Sequence, residues 1–411
     1  MKTMDVVIIG GGVIGASIAY HLTRAGVRDV VLLERNELAT AASSRAAGLV
    51  LEVTGKPAKQ PLVHQTLADA YHLEELLGED IGFRRVGSLR VAQASDRIVE
   101  LDRMAKAAEQ TGVRFAWLTP QAAGSRVPWL ATDETSRYGY FQDDAFADPY
   151  RLAMAYAKAA QAGGVSLKPR TSVFGIEIEQ GRAVAVTTSE GRIASGSVVN
   201  AAGAWANALV SPVDQPLAFT PVRSHYWLVP PTAGYPPDHP ITVLPDVPGY
   251  TRPELGGLLV GVQENRSLAF DARTLAGDET AHTIAEREDH WDVLIEKMPA
   301  LSALAPEAEN WEIAHYVAGL SCYTPDGLFL LGASPNVEGL YVAAGCCGSG
   351  VAASGGIGVA LSERVTGSTL SYDLGPFALD RFGSIDPNST EFQARCTDAR
   401  AHKATGSNRS A

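Results

Sequence analysis

Apolar runs and helical spacings alternate along the first half of the chain. Val6 to Ile9 is a continuous apolar run behind Asp5, and Val31-Leu-Leu ends a second one before Glu34. Runs of this length read as strands buried on both faces, and the stretch between them reads as a helix. Leu62, Leu67, Ala70, Leu73 and Leu77 recur at helical spacing, Phe83 to Val91 alternates like a strand, and Arg97 to Thr111 returns to helix. Asp148 is placed to cap a helix that has Pro149 at its first position and runs to about Ala162. Val165 to Gly203 then reads as short strands turning at Gln180-Gly181 and Glu190-Gly191, closed by a strand that enters a helix at Val198 to Trp205.

Residues 216–316 mix strand-like and helical pieces broken by prolines, among them Pro230-Pro231 and Pro236-Pro237. A turn at Thr324 to Gly327 precedes buried strands at Leu328 to Leu331 and Leu340 to Ala344, then a glycine turn and a helix. The stretch Gly339 to Ser362 carries no charge, but its glycines would weaken a membrane-spanning helix, so strand, turn and buried helix describe it better. Past Gly367 the pattern thins, and Ala401 to Ala411 reads as a disordered polar tail.

The first turn carries candidate chemistry. Gly10, Gly12 and Gly15 form a Gly-x-Gly-x-x-Gly pattern between strand and helix, with Val13 and Ile14 opening the helix. Gly10 permits the tight turn, Gly12 lets backbone approach a pyrophosphate, and Gly15 lets the helix pack against the strand. The helix N-terminus favours phosphate, and Glu34 at the end of the second strand suits a ribose while its charge repels a 2′-phosphate. Strand, turn, helix and acid at these distances point to dinucleotide binding.

Composition narrows the partners. The 411 residues are 46% hydrophobic and 19% charged, as in a globular protein of more than one domain. With 34 basic and 46 acidic residues the net charge is −12, which argues against nucleic acid and anionic membranes as partners. Cys322, Cys346, Cys347 and Cys396 show neither metal-ligand nor disulfide spacing, and no metal site is expected. The start has no basic segment leading to a cleavage site, so a cytoplasmic enzyme is expected.

Seven pieces in order then match one pattern: Ile9 to Gly15, Leu33 to Arg35, Ala42 to Gly48, Asp148 to Arg151, Val198 to Trp205, Tyr250 to Pro253, and Thr324 to Gly327 with Gly345 to Gly350. The chain resembles the D-amino-acid-oxidase-like flavoprotein superfamily, in particular its sarcosine oxidase and dimethylglycine/proline dehydrogenase branch. The resemblance covers roughly residues 1–370 and implies FAD as cofactor. It implies an α/β and α+β architecture: a Rossmann-like FAD-binding domain assembled from residues 1–84, 146–215 and 318–370, and a substrate domain with a mixed or antiparallel sheet from 85–145 and 216–317. Residues 371–411 are left as a C-terminal segment.

By the same resemblance, Gly10, Gly12 and Gly15 hold the pyrophosphate, and Glu34 with Arg35 the adenosine ribose side. Ser43, Ser44, Arg45 and Gly48 run along the pyrophosphate and flavin, Val173 meets the adenine through its backbone, and Ala202 and Gly203 line the cofactor. Gly345, Gly348, Ser349, Gly350 and Val351 would bring backbone N–H groups and a helix N-terminus to the flavin O2 edge. Tyr250 stands at the family's active-site tyrosine, and Arg252, on the same strand face, could anchor a substrate carboxylate. Two lysines of the sarcosine oxidases are replaced by Leu259 and Ala352, a histidine by Gln263, and the flavin-linking cysteine by Gly319, with Cys322 three residues off. His225, beside Tyr226 where the chain returns to the substrate domain, reads as structural.

The expected activity is FAD-dependent oxidation of the C–N bond of a secondary or N-methylated amino acid or related amine, with hydride passing to flavin N5. Oxygen or another acceptor would take the electrons, the missing lysines favouring a dehydrogenase. Alternatives are an oxidase of primary D-amino acids or glycine, and the flavin-bearing subunit of a complex with a partner subunit. A flavin monooxygenase ranks last, since no second dinucleotide glycine motif follows.

Overall fold

Even and odd positions of the first two strands part company in the computed structural model, which describes residues 3–232, 234–275, 284, 287 and 289–403. Val6, Ile8, Val30 and Leu32 enter a core shared with helices, whereas Val7, Ile9, Val31 and Leu33 enter a core on the opposite face. Strand side chains alternate between faces, and two covered faces require apolar residues at every position.

These strands lie in a six-stranded sheet ordered Leu330–Ala333, Leu340–Ala344, Val198–Asn200, Val6–Ile9, Val30–Leu33, Ser166–Lys168. Neighbours are parallel except at the Leu330–Ala333 edge. Helices Val13–Arg24, Gln60–Leu77, Pro149–Ala162 and Ser354–Thr366 contribute to the first core. The antiparallel strands Val173–Glu179, Arg182–Thr188 and Gly191–Ala194 cover the other face. Asp148 caps its helix, its Oδ1 accepting the Arg151 N–H at 3.0 Å.

A second sheet has eight strands, ordered His315–Tyr323, Thr220–Val229, Gly257–Val262, Gly249–Glu254, Ile241–Leu244, Ser88–Ala92, Arg137–Phe141, Phe115–Leu118. Its pairs are antiparallel except Ile241–Leu244 with Ser88–Ala92. Helix His290–Leu304 packs with Trp227, Leu258 and Val260 of this sheet. The boundary expected between 317 and 318 falls inside His315–Tyr323, which pairs with Thr220–Val229 from Tyr323 to His315.

The strand expected over 83–91 is instead two, Phe83–Arg85 and Ser88–Ala92, in different sheets. Gly87 between them has φ +74°, and a Cβ there would lie 2.5 Å from the Tyr140 hydroxyl, so the bend requires glycine. The partner segment bends too: Ala145–Ala147 pairs with the first piece and Arg137–Phe141 with the second. Asp144 fastens this corner, accepting from Ser88 Oγ at 2.5 Å, Glu52 N–H at 2.8 Å and, through its carbonyl, Gly87 N–H at 2.8 Å. Burial pushes its carboxyl up to about 6 although Arg90 lies 3.6 Å away.

Where a thinning chain is expected, the structure has a helix over Thr390–Ala401, capped by Ser389. Phe392, Cys396 and Arg400 form its buried stripe, one turn apart. Of the expected tail, Ala401 closes this helix and residues 404–411 lie outside the described residues. Among the described residues no helix is long and apolar enough to cross a membrane, and 339–362 contains the strand Leu340–Ala344 and most of helix Ser354–Thr366.

Candidate active site

A cavity of about 1080 Å³ runs from the first glycine turn to the eight-stranded sheet. At one end Gly10, Gly12, Val13 and Ile14 line it. Gly10 has φ +108°, and a Cβ there would collide with the Ala201 carbonyl. Gly15 is not in the wall; it lets the helix approach, since a Cβ would strike the Gly10 carbonyl. Helix Val13–Arg24 has no cap from Gly12, and Ser43 supplies one from thirty residues away, its Oγ accepting the Val13 N–H at 2.9 Å.

Glu34 lines the same end, held by N–H groups of Gly11 at 2.8 Å and Asn36 at 2.9 Å. Arg35 stacks its guanidinium 3.7 Å from the centroid of the Trp205 ring. Arg45, Gly48, Val173, Ala202 and Gly203 also line the cavity. Ser44 does not: its hydroxyl turns back to the carbonyls of Thr40 and Ala41, each at 3.1 Å. The hydroxyl is spent on its own turn, where it offers a cofactor nothing.

On the far side Gly348, Ser349, Gly350 and Val351 line the cavity, but Gly345 lies behind them, where a Cβ would press on Thr324 Cγ2 at 2.9 Å. The helix starts at Ser354, so the backbone facing the cavity is the turn before it rather than the helix end itself. Gly348 N–H donates to Ser321 Oγ at 2.9 Å.

The two expected substrate residues separate. Tyr250 lines the cavity, and burial raises its phenol above the ordinary value, keeping it a hydrogen-bond donor. Its ring lies over Gly261 on the paired strand, where any Cβ would run into it. Arg252 is outside the cavity wall. Its Nη1 is 2.6 Å from Glu254 Oε2 and donates to the Pro253 carbonyl at 2.7 Å, while Nε donates to the Ala47 carbonyl at 2.6 Å. With Nη1 and Nε engaged in this way, Arg252 is a structural tie between the strand and the loop before Gly48.

Several lining residues escape sequence reasoning. The turn Pro57–Lys59 presents Lys59, 5% exposed, with Nζ 4.8 Å from the centre of the Phe329 ring; burial lowers its ammonium. The C-terminal helix brings Arg400, and Lys403 follows it. These cations reach the cavity from other elements than the strand and turn that hold Leu259 and Ala352. His225 and Gln263 also line the cavity, His225 being held well below its ordinary value, first by burial and then by the Arg400 charge. Of the lining acids, Asp326 faces Arg381 at 2.8 Å, Glu100 faces Arg97 at 3.3 Å and Asp398 faces His402 at 3.0 Å.

The residues present fit a flavin dinucleotide: a cradle open only because Gly10 and Gly12 lack side chains, an oriented carboxylate at ribose distance in sequence, and room for both cofactor and a small molecule. The chain belongs to the FAD dependent oxidoreductase (DAO) family, whose model matches residues 5–364. It is 30% identical to the mouse mitochondrial pyruvate dehydrogenase phosphatase regulatory subunit, over 95% of this chain and 44% of that protein. It is 29% identical to the 4-methylaminobutanoate oxidase (formaldehyde-forming) of Paenarthrobacter nicotinovorans, over 95% of this chain and 47% of that one. The chain thus spans less than half the length of these two relatives. The crystal structure of glycine oxidase from Geobacillus kaustophilus superposes with a TM-score of 0.77 at 29% identity, covering 93% of this chain and 99% of that one. The family to which the chain belongs thus includes amine and amino-acid oxidases.

Proposed function

We propose that the protein oxidises the C–N bond of a secondary or N-methylated amino acid, or a related amine, to an imine that water then hydrolyses. The observation that carries this reading is the single cavity joining the glycine cradle to Tyr250, with each lining carboxylate named above already engaged by a partner. Bound FAD supplies a two-electron acceptor for the hydride leaving the carbon next to nitrogen.

The chain's residues supply position and protonation state. Glu34, Ser43 and the turn at Gly10 to Gly12 hold the dinucleotide end. Arg400 makes the opposite end positive, which disfavours an ammonium and favours the neutral amine whose lone pair the oxidation requires. Tyr250 offers a phenol proton, and His225 is neutral. The Paenarthrobacter relative, named as an oxidase of a methylamino acid, supports the N-methyl reading.

Anaerobic addition of sarcosine, dimethylglycine, L-proline, glycine, D-alanine and 4-methylaminobutanoate to the flavin-loaded protein tests it. Bleaching of the flavin by an N-alkyl member and not by glycine or D-alanine is the expected result. Bleaching by glycine or D-alanine alone overturns the N-methyl reading, and no bleaching by any member overturns the amino-acid reading. A second reading, the flavin-bearing subunit of a larger assembly, draws on the mouse relative that is named a regulatory subunit. Activity that appears only with a co-purifying partner would favour it.

A further inference from the structure

The helix Thr390–Ala401 lies beyond the span matched by the family model, yet it closes one wall of the cavity. Its Arg400 is 5% exposed. Nε donates to Ser224 Oγ at 3.3 Å, while Nη1 is fully buried and has no hydrogen-bond partner among the described residues. Among the described residues no carboxylate lies within ion-pair distance of this guanidinium; Asp398, a turn-mate on the same helix, faces His402 instead. Among the described residues every other deeply buried arginine has an acid: Arg90 has Asp144, Arg223 has Glu264 and Asp289, and Arg252 has Glu254.

Burying a guanidinium with an unmade hydrogen bond is costly, and an anion delivered to the cavity would relieve that cost. Arg400 is near enough to Tyr250 and His225 for its charge to act on both, though burial is the larger influence on each. A planar fork with an unpartnered Nη1 suits a carboxylate, which can accept two parallel N–H groups. We propose that Arg400 anchors the carboxylate of the substrate, so that the C-terminal helix restricts this enzyme to amines bearing an acid group. The proposal rests on the reading of the cavity as an amine-oxidation site and replaces Arg252 in the anchoring role.

The test uses the flavin-loaded protein and two isosteric probes, acetate and acetamide, followed by the flavin difference spectrum. Acetate should bind the wild type at least about tenfold more tightly than acetamide, the scale of a charge-assisted contact. Arg400→Gln should abolish that preference and Arg400→Lys should restore part of it, both with unchanged FAD content. Equal binding of the two probes by the wild type overturns the proposal without needing any variant. So does an Arg400→Gln protein that keeps the preference, or one that folds but loses its FAD, which would make Arg400 a cofactor ligand. Failure of every amine to bleach the flavin, with the acetate preference intact, would sink the oxidation reading and leave the anion site standing.

Discussion

Lys403 Nζ donates to the carbonyl of Gly348 at 2.5 Å, tying the segment after the last helix to the glycine turn in the cavity wall. Lys403 is accessible from the cavity yet surrounded by protein. That enclosure, followed by the charges of Lys59 and Arg400, lowers its ammonium to about 7. The sign follows from linkage. Below about pH 7 folded and unfolded chains both carry the proton, and the fold bears the full cost of the enclosed charge. Between about 7 and the ordinary lysine value of about 10.5 the unfolded chain holds a proton that the folded chain has released, so stability contributed by this group rises with pH. Lys403→Met should flatten that slope in urea midpoints measured from pH 6 to 10. An unchanged slope would show that Lys403 titrates normally.

Ser43→Ala removes the acceptor of the Val13 N–H. Loss of a helix cap costs about 1 kcal/mol, which corresponds to about fivefold in an equilibrium constant. Both the thermal midpoint and the FAD dissociation constant of the deflavinated protein should therefore worsen. Unaltered FAD affinity would mean that the capped turn does not bear on the cofactor.

Gly261→Ala places a methyl where the Tyr250 ring lies. The ring must shift, and turnover should fall about tenfold or more, because a displaced positioning group costs rate steeply. FAD content should stay as in the wild type. Full activity would remove Tyr250 from the reacting geometry.

Arg252→Ala breaks an ion pair with Glu254 and two carbonyl contacts, and should cost about 2 kcal/mol of stability. KM for a substrate that bleaches the flavin should not change. A raised KM at unchanged stability would return Arg252 to the site.

The first thirty-five residues were legible because their signals are local: an apolar run, a glycine turn and an acid each have one mechanical use there. The same locality misled at Arg252. Alternation puts Arg252 on the Tyr250 face, but it puts Glu254 there as well, and the neighbouring acid takes the guanidinium. The strand at 83–91 broke at Gly87 because alternation continues across a bend whose cause, the Tyr140 ring, is over fifty residues away. The last helix was hidden by its third buried position being an arginine rather than an apolar residue; Phe392 and Cys396 alone make a short stripe. Lys59 and Arg400 could not be paired with the cavity from sequence, since each is brought there by a different long-range contact.

The corner at Gly87 and Asp144 has a mechanical meaning. Two backbones, paired with each other on both sides of the bend, pass together from the small sheet of Phe83–Arg85 and Ala145–Ala147 into the eight-stranded one. Such a doubled, cross-tied beam resists swivelling far better than a single linker would, because any tilt has to shear two ladders of hydrogen bonds at once. The C-terminal helix gives the cavity a second fixed wall, since Phe392 and Cys396 are packed with Val222, Tyr323 and Cys347.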